Sequence, residues 1–360
     1  MRILHFVTGG FSGATQVAVD LSLAAMRTPG YEVLLVLRRK PSTDDTKIEK
    51  LRQQGLQVRI VSNWMHVITV WELRKIMREF KPDAVFAHGF SDHIWGRRAA
   101  VAEGVPRIFH VEHNTRERYT RRRLAQAQAL MPYTEACIGV SEGVRTSLIE
   151  RGFDPAKCIA IPNGIDLERF PPSILKPWDE REPAIIMASR FARQKDHETL
   201  IRAMALLKTQ GLTPTLYLAG GGKKRLEQKA RALTQQLGLQ DSIQFLGNVS
   251  DLPQRLGSLQ IFVLSTHWEG MPLALVEGMA AGCACVVSDV IGAREVIEPS
   301  ITGLRSLESD SQSLALALHQ LLSNPFLAKK LGLAAREFAA AHYGREHMWH
   351  QYKQLLNAKA

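Results

Sequence analysis

Two glutamates, Glu269 and Glu277, bracket the segment Gly270-Met271-Pro272-Leu273-Ala274-Leu275-Val276, which follows the apolar run Ile261-Phe262-Val263-Leu264. The run reads as a buried strand. Pro272 suits the first position of a helix, which puts Gly270 and Met271 at its start. Free N–H groups and the helix dipole favour an anion there. Glu269 stands in the loop. Glu277 lies about one and a half turns inside the helix, its side chain leaning back toward the N-terminus. The two carboxylates would flank a bound phosphate from different depths. Carboxylates repel phosphate but accept hydrogen bonds from hydroxyls. Their expected partners are sugar hydroxyls on either side of a diphosphate: a ribose on one side, a transferred sugar on the other.

Further residues suit the same ligand. Arg190 and Lys195 lie in the loop Ala188–Asp196 behind another strand. A planar guanidinium fork and a compact ammonium together suit a diphosphate. Gly220-Gly221-Gly222 follows a third strand and lets backbone lie against a flat or bulky ligand, with Gly221 central. Near the start, Thr8-Gly9-Gly10-Phe11-Ser12-Gly13-Ala14-Thr15 is glycine-rich. It lacks both the GxGxxG dinucleotide spacing and the GK[ST] of a phosphate-binding P-loop. Phe109-His110-Val111-Glu112-His113-Asn114 ends a strand of the first half. Its spacing is not that of a helical HExxH zinc site, and strand alternation sends His110 and His113 to opposite sides. No metal is expected, and His113, nearer the loop, is the candidate to face a ligand.

Strands alternating with helices must position these loops. Strands are expected near Ile3–Val7, Glu32–Leu37, Gln57–Val61, Ala84–Ala87, Arg107–Val111 and Ala136–Val140. The alternation breaks at Asn163-Gly164-Ile165-Asp166, Phe170-Pro171-Pro172 and Lys176-Pro177. It restarts with Ala184–Ala188, Thr215–Ala219, Ser242–Phe245, Gln260–Leu264 and Cys285–Ser288. This is the pattern of parallel sheets built from βαβ units. In such sheets ligands sit at the carboxyl ends of strands.

The 360 residues suggest two domains, and 45% hydrophobic content excludes disorder. No apolar run approaches the length of a spanning helix, and Met1–Val7 is too short for a signal peptide, so a cytoplasmic protein is expected. Cys137, Cys158, Cys283 and Cys285 show no CxxC pattern and read as reduced, buried side chains. The net charge of +11 points to an anionic partner.

With these motifs in view, the chain resembles the family-4 retaining glycosyltransferases (glycosyl transferases group 1), including those of bacterial lipopolysaccharide and O-antigen synthesis. The likeness rests on Val140-Ser141-Glu142-Gly143, Ile161-Pro162-Asn163-Gly164-Ile165-Asp166, Ser189-Arg190, Lys195-Asp196, Ala219-Gly220-Gly221-Gly222, Phe245-Leu246-Gly247 and the EX7E stretch Glu269–Glu277. It covers nearly the whole chain. The resemblance implies the GT-B fold, two doubly wound Rossmann-like α/β domains facing a central cleft. Residues 1–170 would form the N-terminal acceptor-binding domain and 171–340 the donor-binding domain. Residues 341–360 would form a helix crossing back onto the first.

The resemblance also implies roles. Arg190 and Lys195 would hold the donor diphosphate. Gly270, Met271, Pro272 and Leu273 would meet phosphate and sugar through backbone. Glu269 would bind the transferred sugar, Glu277 the ribose, and Gly13 would lie under the donor phosphate. His113 matches the family's histidine near the reacting sugar. Ser12 and Thr15 depart from the commoner Gly-Gly-Ala-Glu form. No cofactor or metal is implied; the co-substrate is a nucleotide-diphosphate sugar, with a UDP-linked hexose or N-acetylhexosamine favoured. A sugar-nucleotide epimerase of the same fold is the alternative, and a polyanion-binding non-enzyme a more remote one.

Residues 97–123 carry eight arginines against three acidic residues. Arg116, Arg118, Arg121, Arg122 and Arg123 are the tightest run and follow His113 directly. They suit a phosphorylated or lipid-linked saccharide acceptor, or a peripheral position on the inner face of an anionic membrane. No RNA- or DNA-binding pattern accompanies them, and no nucleic acid is expected.

Overall fold

A computed structural model describes residues 1–117 and 119–358. The chain divides into two compact units, Met1–Gly164 with the segment beginning at Arg345, and Ile165–Gly344.

Unit 1 alternates strand and helix from its first residues: β1 (Arg2–Thr8), α1 (Gly13–Met26), β2 (Glu32–Arg38), α2 (Asp45–Gln53), β3 (Gln57–Val61), α3 (His66–Phe80) and β4 (Ala84–His88). It continues through α4 (Asp92–Ala102), β5 (Arg107–Glu112), α5 (Arg121–Gln128), β6 (Ala136–Gly139), α6 (Glu142–Glu150) and β7 (Cys158–Ala160). The sheet order is β3-β2-β1-β4-β5-β6-β7, with every pairing parallel. Its strands are continuous apolar runs because helices cover both faces. Leu4, Phe6, Val36, Val85 and Ile108 form part of the resulting core. The approach of α4 to the sheet requires Gly96, where a Cβ would lie 2.7 Å from the Phe6 ring.

Unit 2 repeats the scheme with β8 (Glu182–Ala188), α7 (His197–Thr209), β9 (Leu216–Ala219), α8 (Lys224–Gln236), β10 (Ile243–Gly247), α9 (Leu252–Ser258), β11 (Leu259–Leu264), α10 (Leu273–Ala280), β12 (Ala284–Ser288), β13 (Leu304–Ser306), α11 (Ser311–Ser323) and α12 (Pro325–His342). Its order is β10-β9-β8-β11-β12-β13, again all parallel. Gly278 lets α10 lie on the sheet: a Cβ there would meet the Phe262 ring at 2.6 Å.

The divisions expected after residues 170 and 340 fall instead at 164/165 and 344/345. The two ends of unit 2 are tied together, which sets both boundaries: Ile165 bridges Gly344, and its N–H donates to the Tyr343 carbonyl. The final helix, α13 (Arg345–Asn357), belongs to unit 1. Trp349 donates to Thr28 beside α1, and Arg107 of β5 caps the carbonyls of Leu355 and Leu356. All four cysteines are buried and none is in a disulfide.

Candidate active site

In each sheet the strand order reverses at one place, between β1 and β4 in unit 1 and between β8 and β11 in unit 2. The loops that leave those strands diverge and open a crevice at their carboxyl ends. The loops carrying Arg190, Lys195 and Glu269 leave β8 and β11.

The two loops are stitched together. Asp196 N–H donates to the Ser265 carbonyl and His267 N–H to the Gln194 carbonyl. Around these the side chains converge on Glu269, which is 5% exposed. Lys195 forms a close ion pair with Glu269 Oε1. Thr266 donates to the same oxygen at 2.8 Å, and Gln194 donates to Oε2 at 2.9 Å. A buried carboxylate needs such satisfaction. Lys195 has three N–H donors, so the pair leaves donors that an anion can take. Arg190 is exposed and makes no side-chain hydrogen bond or ion pair among the described residues.

Pro272 is the residue capping α10, one position outside the helix it was expected to begin, so Leu273 is the first helical residue. The first amides of α10 have no intrahelical acceptor, and its first turn carries no acidic side chain. Gly270, Met271 and Pro272 are buried beside Glu269. The turn at Gly292 (φ +82°) crosses them so closely that a Cβ there would meet the Gly270 carbonyl at 2.1 Å. Glu277, inside the helix, accepts a 2.7 Å hydrogen bond from Arg169. Burial pushes its carboxyl above the ordinary range, and Arg169 partly offsets this.

The three glycines after β9 serve packing within unit 2. Gly220 and Gly222 have φ of +135° and +147°, and a Cβ on either would strike the backbone of Ser189 or Phe191. Gly221 N–H donates to Asn248 Oδ1 at 2.8 Å. The glycine run thus holds the Arg190 loop in place.

In unit 1 the switch point holds a row of histidines. His5 lies on β1, His88 ends β4 and His113 follows β5. Successive ring nitrogens are 3.0 Å and 3.1 Å apart. His113 is half-buried, and its backbone N–H donates to Glu112 Oε1 at 2.9 Å. His110 faces the other way and stacks on His93, with centroids 3.8 Å apart. Donor atoms of His93, His110 and Glu112 come within 4.8 Å of one another. Stacked rings direct their nitrogens along near-parallel planes and not to a common point, and the Tyr119 hydroxyl already spans His93 and Glu112.

Gly13 opens α1 and is exposed, with no atom within 4 Å of a Cβ placed on it. The Ser12/Thr15 departure has a local reason. Thr15 accepts from Ser12 N–H and donates to the Thr8 carbonyl, tying the loop to the helix start.

Arg121, Arg122 and Arg123 occupy the first turn of α5. Arg116 is exposed in the preceding loop, and Arg118 lies outside the described residues. Beside α5 runs a groove of about 610 Å³, with Val67, Val70 and Trp71 of α3 on one wall and Trp95, Arg98, Arg122 and Arg123 opposite. Trp64, Val67 and Trp71 are 80%, 77% and 60% exposed. Sequence reading missed this ridge because its spacing matches an ordinary buried helix face. It also missed His5 and His88, each a lone histidine in an apolar strand, and Gln194, Thr266 and Arg169, whose partners are distant in sequence.

Two family models match the chain: "Glycosyltransferase Family 4" over residues 11–169 and "Glycosyl transferases group 1" over residues 175–338. The chain is a glycosyltransferase: both models describe one, and together they match most of it. Among curated relatives, an Escherichia coli UDP-Gal:alpha-D-GlcNAc-diphosphoundecaprenol alpha-1,3-galactosyltransferase is 28% identical over 71% of this chain and 70% of its own. A putative glycosyltransferase of Bacillus subtilis, EpsF, is 28% identical over 81% and 79%. The Anabaena protein HepE, solved with UDP and glucose, superposes over all of both chains with a TM-score of 0.86 at 20% identity. Its likeness places the glycosyltransferase in the GT-B fold. Among the described residues no helix is long and apolar enough to cross a membrane.

Proposed function

We propose that this glycosyltransferase moves a hexose or N-acetylhexosamine from a UDP-sugar to a saccharide acceptor in cell-surface polysaccharide or lipopolysaccharide synthesis, with retention of configuration. The observation that carries this reading is the Lys195–Glu269 cluster at the β8/β11 switch point. It sets a cation and a hydroxyl acceptor beside a helix N-terminus. The E. coli relative, which acts with UDP-Gal, and the UDP-bound Anabaena neighbour support the choice of base.

The chemistry follows from charge. As the bond to the sugar breaks, negative charge grows on the diphosphate, and stabilising it lowers the barrier. Lys195 keeps N–H donors for phosphate oxygens, Arg190 adds a fork, and the first amides of α10 add their partial charge. These groups supply the positive charge a metal gives elsewhere, so turnover is expected to survive chelation. Glu269 is fixed by Thr266 and Gln194 to accept from hydroxyls of the transferred sugar. Glu277 takes the ribose, and the backbone from Gly270 to Leu273 meets phosphate and sugar. On unit 1, His113 and Gly13 serve the reacting sugar and the donor phosphate. The acceptor hydroxyl approaches the face the diphosphate leaves and passes its proton to a departing phosphate oxygen.

Thermal stabilisation by UDP-, GDP- and ADP-sugars tests the donor, because a ligand stabilises in proportion to ln(1 + [L]/Kd). A UDP-sugar is expected to stand out. Release of an epimerised sugar without acceptor would replace transfer with epimerisation.

The arginines of α5 and the exposed Trp64, Val67 and Trp71 support a peripheral position on the inner face of the cell membrane, with a lipid-linked acceptor. Interfacial tryptophans and polybasic surfaces together favour anionic bilayers. Co-sedimentation with phosphatidylglycerol-containing vesicles, and none with phosphatidylcholine alone, is the expected result.

A further inference from the structure

Three imidazole rings stand in a row at the unit 1 switch point, and only the last reaches solvent. Nδ1 of His5 faces Nε2 of His88, and Nδ1 of His88 faces Nε2 of His113. Burial keeps all three neutral near pH 7: it pulls His5 to about 3, His113 to about 4 and His88 well below the ordinary value. A neutral imidazole has one N–H and one bare nitrogen. Each contact therefore pairs one donor with one acceptor, and both must run in the same direction, since His88 has a single proton to place.

Two orders are possible. If His5 donates, His88 is bare at Nε2 and donates from Nδ1, and His113 carries its proton on Nδ1. In the reverse order His113 donates from Nε2, its Nδ1 is bare, and His5 carries its proton on Nε2.

The far end of the row decides between them. His5 is fully buried, and its Nε2 has no hydrogen-bond partner. The reverse order would bury an orphaned N–H there; the forward order leaves only a lone pair. Orphaned buried N–H groups are rarer than under-used acceptors, because a donor without water or partner loses its whole hydration.

We propose that His5 and His88 set the tautomer of His113, so that its free Nδ1 presents a hydrogen-bond donor to the ligand. Nδ1 of His113 makes no hydrogen bond among the described residues, and the ring sits at the carboxyl end of β5 where ligands bind. A fixed N–H there recognises a sugar hydroxyl or phosphate oxygen as an acceptor. It cannot take a proton from the attacking hydroxyl, which removes His113 Nδ1 as a general base. His5 and His88 are positioning residues acting through His113. The consequence for transfer rests on the proposed function, whereas the tautomer is a property of the free chain.

The ¹⁵N spectrum of histidine-labelled protein at pH 7, assigned with a His113→Gln variant, reads the tautomer without substrate. A protonated Nδ1 and bare Nε2 on His113 are expected; a protonated Nε2 would overturn the proposal. His88→Leu removes the donor to His113, and kcat is expected to fall about tenfold with UDP affinity unchanged. His88→Asn can donate from nearly the same place and is expected to recover much of that loss. Wild-type turnover in His88→Leu would overturn the positioning role. If His88→Leu fails to fold, the wild-type spectrum still decides. Failure to bind any UDP-sugar would refute the donor reading while leaving the tautomer result intact.

Discussion

Lys195 and Glu269 are 74 residues apart in the chain and meet at the β8/β11 switch point. Their pairing makes both residues more specific than either would be alone. Lys195, Thr266 and Gln194 all bond to Glu269, so its carboxylate is oriented before a sugar arrives. Fixing polar groups in advance is how a site spends nothing on reorganisation during reaction. Lys195→Ala removes the cation and leaves Glu269 a buried carboxylate with one partner fewer. Turnover is expected to fall about 10²–10³-fold, with kcat changing more than KM, by analogy with a lost oxyanion donor. Single-turnover kinetics with the preferred UDP-sugar measures this, and near-normal kcat would remove Lys195 from the diphosphate site. The melting temperature should drop as well, since an unpaired buried charge is costly.

Helix α5 carries charge that its own stability does not need, whereas α10 depends on close packing against its sheet. Arg121, Arg122 and Arg123 fill the first turn of α5, at the positive end of its dipole. Cations are unfavourable there by roughly 0.3–1 kcal/mol each. Partial burial, and then the charges of Arg122, Arg98 and Arg38, loosen the hold of Arg123 on its proton. Arg121→Glu with Arg122→Glu should therefore leave the melting temperature equal or higher while abolishing binding to phosphatidylglycerol vesicles. Binding that survives the double substitution would move the membrane contact away from α5. In α10 the constraint is steric. Gly278→Ala drives a methyl into the Phe262 ring, in a core with no room to yield. A loss of about 1–3 kcal/mol is expected from denaturant titration, as for other overpacked cores.

Buried neutral histidines make the whole molecule acid-sensitive. His5 falls from an ordinary 6.5 to about 3 through burial, and His113 and His197 fall to about 4 for the same leading reason. Between those values and 6.5 the unfolded chain binds more protons than the folded one, so stability rises with pH across that window. It is complete above about 6.5 and is lost as pH falls toward 3–4. His5 alone accounts for about 1.4 kcal/mol per pH unit there. Thermal melting at pH 5 should lie well below that at pH 7.5, and His5→Phe should narrow the gap. An equal gap in the variant would show that His5 titrates normally.

The strand and helix alternation, the break after Asn163 and the strand–loop–helix order around Glu269 and Glu277 were all legible in the sequence. Periodicity, proline and glycine act locally, so one sequence displays them. Short β7 and β13 and the buried helix α4 escaped that reading, because three-residue strands and a helix buried on most sides leave no period. Only the tertiary structure decided which distant residues meet. Parallel strand order brings Lys195 to Glu269 and His5 through His88 to His113, while Arg169 reaches Glu277 from the irregular segment that precedes β8. It also decided that Gly220 and Gly222 face backbone of their own unit, and that Trp64, Val67 and Trp71 stay outside the core. A residue's type states which bonds it can make, but the partner depends on sheet order and helix rotation, which are set by packing over the whole unit.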